Sequence, residues 1–207
     1  MKVKIGRACM FLGIGLLLGA LFLYGHNRIQ DSRAGQAVVD ILPQLVQQIP
    51  EQPREEHLAE QIIPEEFRKP EDLKMTETVI DGDAYIGYLS IPSLELSLPI
   101  LANWDYNLLK KAPCRYTGST KSDDLVLMAH NYDKHFGRLS ALNAGDSLYF
   151  TDMDGIVTAY TVVGRDVLVP TAIEEMTSGV FDLTLFTCTY GGKSRVTIYC
   201  DQASTEY

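Results

Sequence analysis

The chain opens with one long apolar run and closes with many short ones. Residues 8–25 are apolar or small without a break. At 18 positions that run is long enough, as a helix, to span a hydrocarbon core. Further on, Val38, Ile41, Leu42, Leu45 and Ile49 recur at helical spacing within 34–49, which predicts an amphipathic helix packed on a following domain. Pro43 is expected to kink or shorten it. Residues 50–74 lose the periodicity. They hold four prolines, eight acidic and four basic residues, the composition of a solvated spacer.

From about Thr78 the period changes to that of strands. Apolar and β-branched runs occupy 84–91, 94–101, 124–130, 147–151, 156–163, 166–169, 183–188 and 194–200. Turn residues separate several of them, at Asp154-Gly155, at 164–166 and at Gly191-Gly192. Short strands at this spacing predict a mainly β domain, an antiparallel sandwich or closed barrel. Residues 103–112 and 170–179 read as short helices or loops between strands. About 125 residues suffice to bury a core without disulfides.

Charge and flanks refine the picture. Lys2, Lys4 and Arg7 precede the apolar run, so the N-terminus is expected in the cytoplasm and the rest outside. A cleaved signal peptide is the alternative, and "LFLYGHN" at 21–27 offers no good small-x-small cleavage site. The expected organisation is a cytoplasmic tip and anchor at 1–27, an extracellular stalk and linker at 28–77, and a folded domain at 78–207. The net charge of −9 and the absence of a basic patch argue against nucleic acid as a partner.

The candidate chemistry centres on cysteine. Cys9 lies in the apolar run, leaving Cys114, Cys188 and Cys200. An odd number outside the cytoplasm leaves at least one free thiol, and no disulfide is expected at Cys188. Cys188 ends an apolar strand before the Gly-Gly turn, and Arg195 follows across the hairpin. A nearby cation favours the thiolate, the nucleophilic form. The competing role is a core cysteine. A cysteine nucleophile needs a partner base. His130, at the rim of the run 124–130, has firmer support than His135 in the polar loop beyond it. His26 and His57 read as solvated. Arg195 could form a surface ion pair or a donor fork for a developing oxyanion. "TDMDG" at 151–155 starts like a calcium loop but lacks its later ligands and reads as a hairpin turn. No metal or cofactor motif is present, and no cofactor is expected.

These residues together resemble the sortases, cysteine transpeptidases of Gram-positive cell surfaces. "TLFTC" at 184–188 resembles their TLxTC signature. "MAHN" at 128–131 resembles the segment bearing their histidine, and "SRVTIY" at 194–199 the strand bearing their arginine. "IGYLSIPSLELSLPIL" at 86–101 and "RYTGS" at 115–119 resemble their first strands and the next loop. The likeness covers about 78–203. It implies a closed eight-stranded barrel, with Cys188 as nucleophile, His130 as acid/base partner and Arg195 as the oxyanion or substrate-orienting group. It also implies substrate contacts at Thr187 and at Phe186, the variable position. The implied reaction cleaves an LPxTG-like C-terminal sorting signal through a Cys188 thioester. The implied partners are sorting-signal peptides of surface proteins and an amine acceptor of the cell wall, such as a peptidoglycan precursor. Class B members carry a long helix-containing insertion before the TLxTC strand, and here only about a dozen residues, 170–181, fill that place. "NWDYN" at 103–107 lies inside the domain, away from the place of a pilin-polymerase lid. These features lean to a class B- or D-like member. Two alternatives stay open on the sequence: an endopeptidase that mainly hydrolyses, and a non-catalytic surface barrel that binds peptide.

Overall fold

The computed structural model describes residues 2–51 and 73–203. Most of the expected spacer, with His57, lies outside them. A single helix, α1, runs Lys2–Gln48, so the expected anchor and stalk helix are one element. Its apolar run is long and apolar enough to cross a membrane. Pro43 lies inside α1 and does not shorten it to that point. The residue lacks the backbone donor that would serve the Val39 carbonyl one turn earlier, and both residues lie on the exposed face of the helix. On the opposite face Ala34, Val38 and Leu45 are buried. That i, i+4, i+11 stripe is the face the periodicity predicted. Leu45 packs in a cluster with Ile80, Tyr85, Leu101 and Cys114 of the β domain.

The β domain comprises β1 (Thr78–Ile80), β2 (Asp83–Ile91), β3 (Leu96–Leu101), β4 (Cys114–Thr117), β5 (Leu125–Ala129), β6 (Ser147–Asp152), β7 (Val157–Leu168), β8 (Leu183–Cys188) and β9 (Arg195–Gln202). A short helix, α2 (Ile173–Thr177), lies between β7 and β8. Hydrogen bonding runs β2-β3-β4-β5-β8-β9-β7-β6 and returns from β6 to β2. The sheet is therefore a closed eight-stranded barrel, and β1 adds a hairpin strand to β2. Closure leaves no long edge for another chain to extend. Inward side chains such as Leu89, Leu98, Leu127, Phe150, Leu185 and Ile198 fill the interior.

Three local differences from the expected pattern have physical causes. The barrel is not antiparallel throughout, since β3–β4 and β5–β8 pair in parallel. Parallel neighbours need long crossovers. Residues 102–113 provide one, and the stretch 130–182, with β6, β7 and α2, provides the other. The expected turn at 164–166 is a bulge, with Val162 opposite Cys200 and Gly164 opposite Tyr199. Both halves keep β9 as partner, so the two expected strands are one. The eighth barrel strand is instead β4, four residues too short to show a pattern. The turn at 152–156 forms as expected, closed by Asp152 Oδ1, which accepts from the Asp154 and Ile156 amides at 2.9 Å each.

Candidate active site

Strand register brings the predicted residues together. In the parallel pair β5–β8, Ala129 lies opposite Thr187. The next residue on each strand is His130 or Cys188, so both leave the same end of adjacent strands. In the antiparallel hairpin β8–β9, Cys188 lies directly opposite Arg195. Cys188 thus sits between the histidine strand and the arginine strand. All three line one groove of about 200 Å³, and all three are partly exposed at its surface.

The other cysteines of the β domain are in no position to react. Cys114 and Cys200 are fully buried. Burial pushes each thiol up to about 12, which leaves about one thiolate in 10⁵ at neutral pH. Cys188 is the half-exposed thiol of the β domain.

The supports of the site are built from main-chain bonds. Thr187 is buried, and its hydroxyl donates to the Ala129 carbonyl at 2.8 Å. Its side chain therefore ties β8 to β5 one residue before Cys188 and His130. Arg195 Nη1 donates to the carbonyls of Gly192 and Ser194, each at 3.2 Å. The Gly-Gly turn thus holds the guanidinium at the groove rim. His130 is held below its ordinary pKa, chiefly by burial and secondarily by Lys110. Both causes favour a neutral imidazole, the form that accepts a proton.

The rest of the groove wall is aromatic, and sequence reasoning missed most of it. Phe186 is buried and meets the Tyr116 ring edge-on, with centroids 5.4 Å apart. Tyr116 stacks on Trp104 at 5.7 Å, and Trp104 meets Tyr106 at 6.1 Å. Trp104 and Tyr106 belong to the crossover expected to be a helix or loop. Asp105 between them braces it, accepting from the Asn107 and Leu108 amides. Those two bonds hold the Asp105 carboxyl below the usual carboxylate range. Two large aromatics in the short stretch "NWDYN" were the available signal. Ile173 and Met176 of the β7–β8 connection also face the groove. Met176 joins Phe186 and Val126 in a small cluster outside the barrel.

His135 departs most from expectation. Instead of a polar surface loop, it occupies a fully buried place beneath Ala34 of α1. Neither ring nitrogen reaches good hydrogen-bond geometry, although the Lys111 and Ala34 carbonyls lie close enough to favour the charged ring. Burial, followed by the repulsion of His130, pushes its pKa down to about 4.

Comparison with known proteins fits this geometry. A sortase domain model matches residues 89–203, more than half of the chain. The chain belongs to the sortase family. Sortase A of Bacillus anthracis is 28% identical over 185 residues, covering 86% of this chain and 83% of that one. The crystal structure of sortase C1 from Streptococcus suis shares 29% identity at a TM-score of 0.50, covering 58% of this chain and 73% of that one. Sortase C of Streptococcus pneumoniae aligns at a TM-score of 0.58 over 80% of this chain and 97% of its own, with 19% identity, a likeness of fold. The sortase relatives thus bear class A and class C names, whereas the sequence reading leaned to a B- or D-like member. Sortases are cell-wall transpeptidases that use a cysteine, so this protein is an enzyme of that kind.

Proposed function

We propose that this sortase is anchored in the membrane by α1 and cleaves an LPxTG-like sorting signal. Cys188 attacks the scissile carbonyl, and the C–N bond breaks to give a Cys188 thioester and a free amine end. His130 takes the thiol proton and returns it to the leaving amine. Arg195 stabilises the developing oxyanion. An amine of the cell wall then attacks the thioester, forms a new amide and releases the thiol. Phe186 shapes the groove for the signal, and Thr187 lies beside its backbone while bracing the two strands.

The observation that carries this reading is the register: Cys188 opposite Arg195, with His130 next on the parallel strand. The groove chemistry supports it too. An apolar, aromatic cleft with a few convergent polar groups suits a peptide.

The test is release of a quenched sorting-signal peptide, with and without an added amine. Cys188→Ala should give no turnover and no acyl-enzyme by mass spectrometry. His130→Ala should lose roughly 10²–10⁴-fold, and Arg195→Ala on the order of 10²–10³-fold. Arg195→Lys should recover little, because a point charge lacks the planar donor fork. Added amine should divert product from acid to amide. A Cys188→Ala variant that turns over would end this reading, and product insensitive to amine would replace transfer by hydrolysis.

A further inference from the structure

The segment that carries His130 is clamped from outside by the helix that carries the apolar run. After β5 the chain turns tightly through 130–137. Phe136 N donates to the His130 carbonyl at 3.3 Å, and Gly137 N donates to the Tyr132 carbonyl at 2.8 Å. A Cβ on Gly137 would lie 2.7 Å from the carbonyl oxygens of Asn131 and Tyr132, so the turn admits no bulkier residue. Three rings follow one another across it. His130 and Tyr132 have centroids 5.0 Å apart, and Tyr132 and His135 5.5 Å.

The outer side of this turn is α1. Asp31 accepts the Lys134 amide at 3.1 Å. Ala34 is fully buried over His135. A Cβ on Gly35 would stand 2.9 Å from Lys134 Cγ, so the helix touches the turn at its smallest residues. Beside this contact a groove of about 750 Å³ separates α1 from the barrel, reaching Val38 and Leu96. The clamp therefore rests on few residues. Asp31 stands only six residues beyond the apolar run, about 9 Å along a helix.

We propose that Asp31, Ala34 and Gly35 of α1 are positioning residues for His130, acting through the tilted ring contacts of His135, Tyr132 and His130. This role rests on the reading of His130 as the acid/base group. The His135 amide donates to the Tyr132 carbonyl at 2.9 Å, and its ring is held by packing beside the Ala34 and Lys111 carbonyls, with α1 supplying one wall. Sub-ångström placement governs such proton transfers. Docking of the membrane-proximal helix thereby sets the catalytic competence of a side chain on the far side of the turn. The charged and titratable groups facing these rings are Asp31 from α1, Lys110 from the β3–β4 crossover, and His130, Tyr132 and His135 themselves. The Ala34 and Lys111 carbonyls are the nearby main-chain dipoles.

The test uses the full chain in detergent micelles. Asp31→Ala removes one hydrogen bond, Ala34→Leu wedges the helix away, and Arg33→Ala on the exposed face is the control. Turnover of the sorting-signal peptide gives kcat and KM. NMR of histidine-labelled protein follows the titration of the His130 ring. Both clamp variants should lower kcat about tenfold to a hundredfold with KM within about twofold, because the groove wall is untouched. The His130 titration should rise towards about 6.5 as burial is relaxed. Removing the Asp31 carboxylate takes away a negative charge, which by itself would lower the pKa of a nearby imidazole, so a rise at His130 reports loosening rather than charge. Asp31→Ala carries the test alone if Ala34→Leu fails to fold. Wild-type kcat in Asp31→Ala, alongside an inactive His130→Ala, would overturn the clamp and leave the catalytic reading standing. A lower kcat with an unmoved His130 titration would mark a merely structural contact and would also overturn it. A fully active His130→Ala would overturn both readings.

Discussion

At the scale of single residues, one side chain connects stability to pH. His135 is buried and neutral, with a pKa of about 4 in the folded protein against about 6.5 in an unfolded chain. The folded value is depressed, so the unfolded state binds the proton first as pH falls. The stability it contributes is complete above pH 6.5 and is lost progressively as pH falls through about 4. The size is on the order of 3 kcal/mol. His130 is shifted in the same direction by the same principal cause, burial. Urea unfolding at pH 7.5 and pH 4.5 should show a clear loss of stability at the lower pH in the parent. His135→Leu, which cannot titrate, should show a smaller loss. Equal losses in the two proteins would remove His135 from this account.

At the scale of elements, the barrel closes where two backbones nearly touch. Gly87 sits at a register shift in β2, between Tyr85 and Gly87 on the β3 side, and pairs with Asp152 of β6. Its φ of 139° lies where L side chains strain. A Cβ there would stand 2.1 Å from the Thr151 carbonyl oxygen. Gly87→Ala should therefore cost about 2–4 kcal/mol, read as a lower urea midpoint. Gly82→Ala is the matched control. Its φ is also positive, at 84°, but no atom lies within 4 Å of the added carbon. The control should lose only the strain share, about 1 kcal/mol. Equal losses would place the cost in strain and not in closure of β2 against β6.

At the scale of the whole molecule, α1 runs unbroken from the apolar run to the face that packs on the barrel. Its inner face contributes Val38 to the core beneath β3 and Leu45 to the cluster around Tyr85. We expect an uncleaved anchor with the N-terminus inside, from the basic residues that precede the run. Protein isolated from membranes should begin at or near Met1 and resist alkaline extraction. A mature N-terminus after residue 25 would remove the anchor.

What the sequence determined by itself was everything carried by short-range pattern or by a motif. Side-chain period alone marks the long apolar run, the stripe on α1 and most of the strands, because alternation and helical recurrence are local consequences of burial. Cys188 and Arg195 were legible together because a Gly-Gly hairpin puts them opposite one another within eight residues. His130 was legible through "MAHN", but its place beside Cys188 depends on β5 and β8 pairing in parallel across a crossover of more than fifty residues. No local pattern encodes a neighbour chosen at that distance. The same holds for β4, whose four residues gain strand geometry only from partners on both sides. Trp104 and Tyr106 read as polar-loop aromatics until the crossover folds them against Tyr116. His135 shows the difference most plainly. Asp133 and Lys134 precede it, Arg138 follows closely and Phe136 alone among them is apolar, so the local pattern places it in a polar loop. Only the packing of α1 across the turn removes water from both ring nitrogens, because burial is a property of what lies opposite a residue in space.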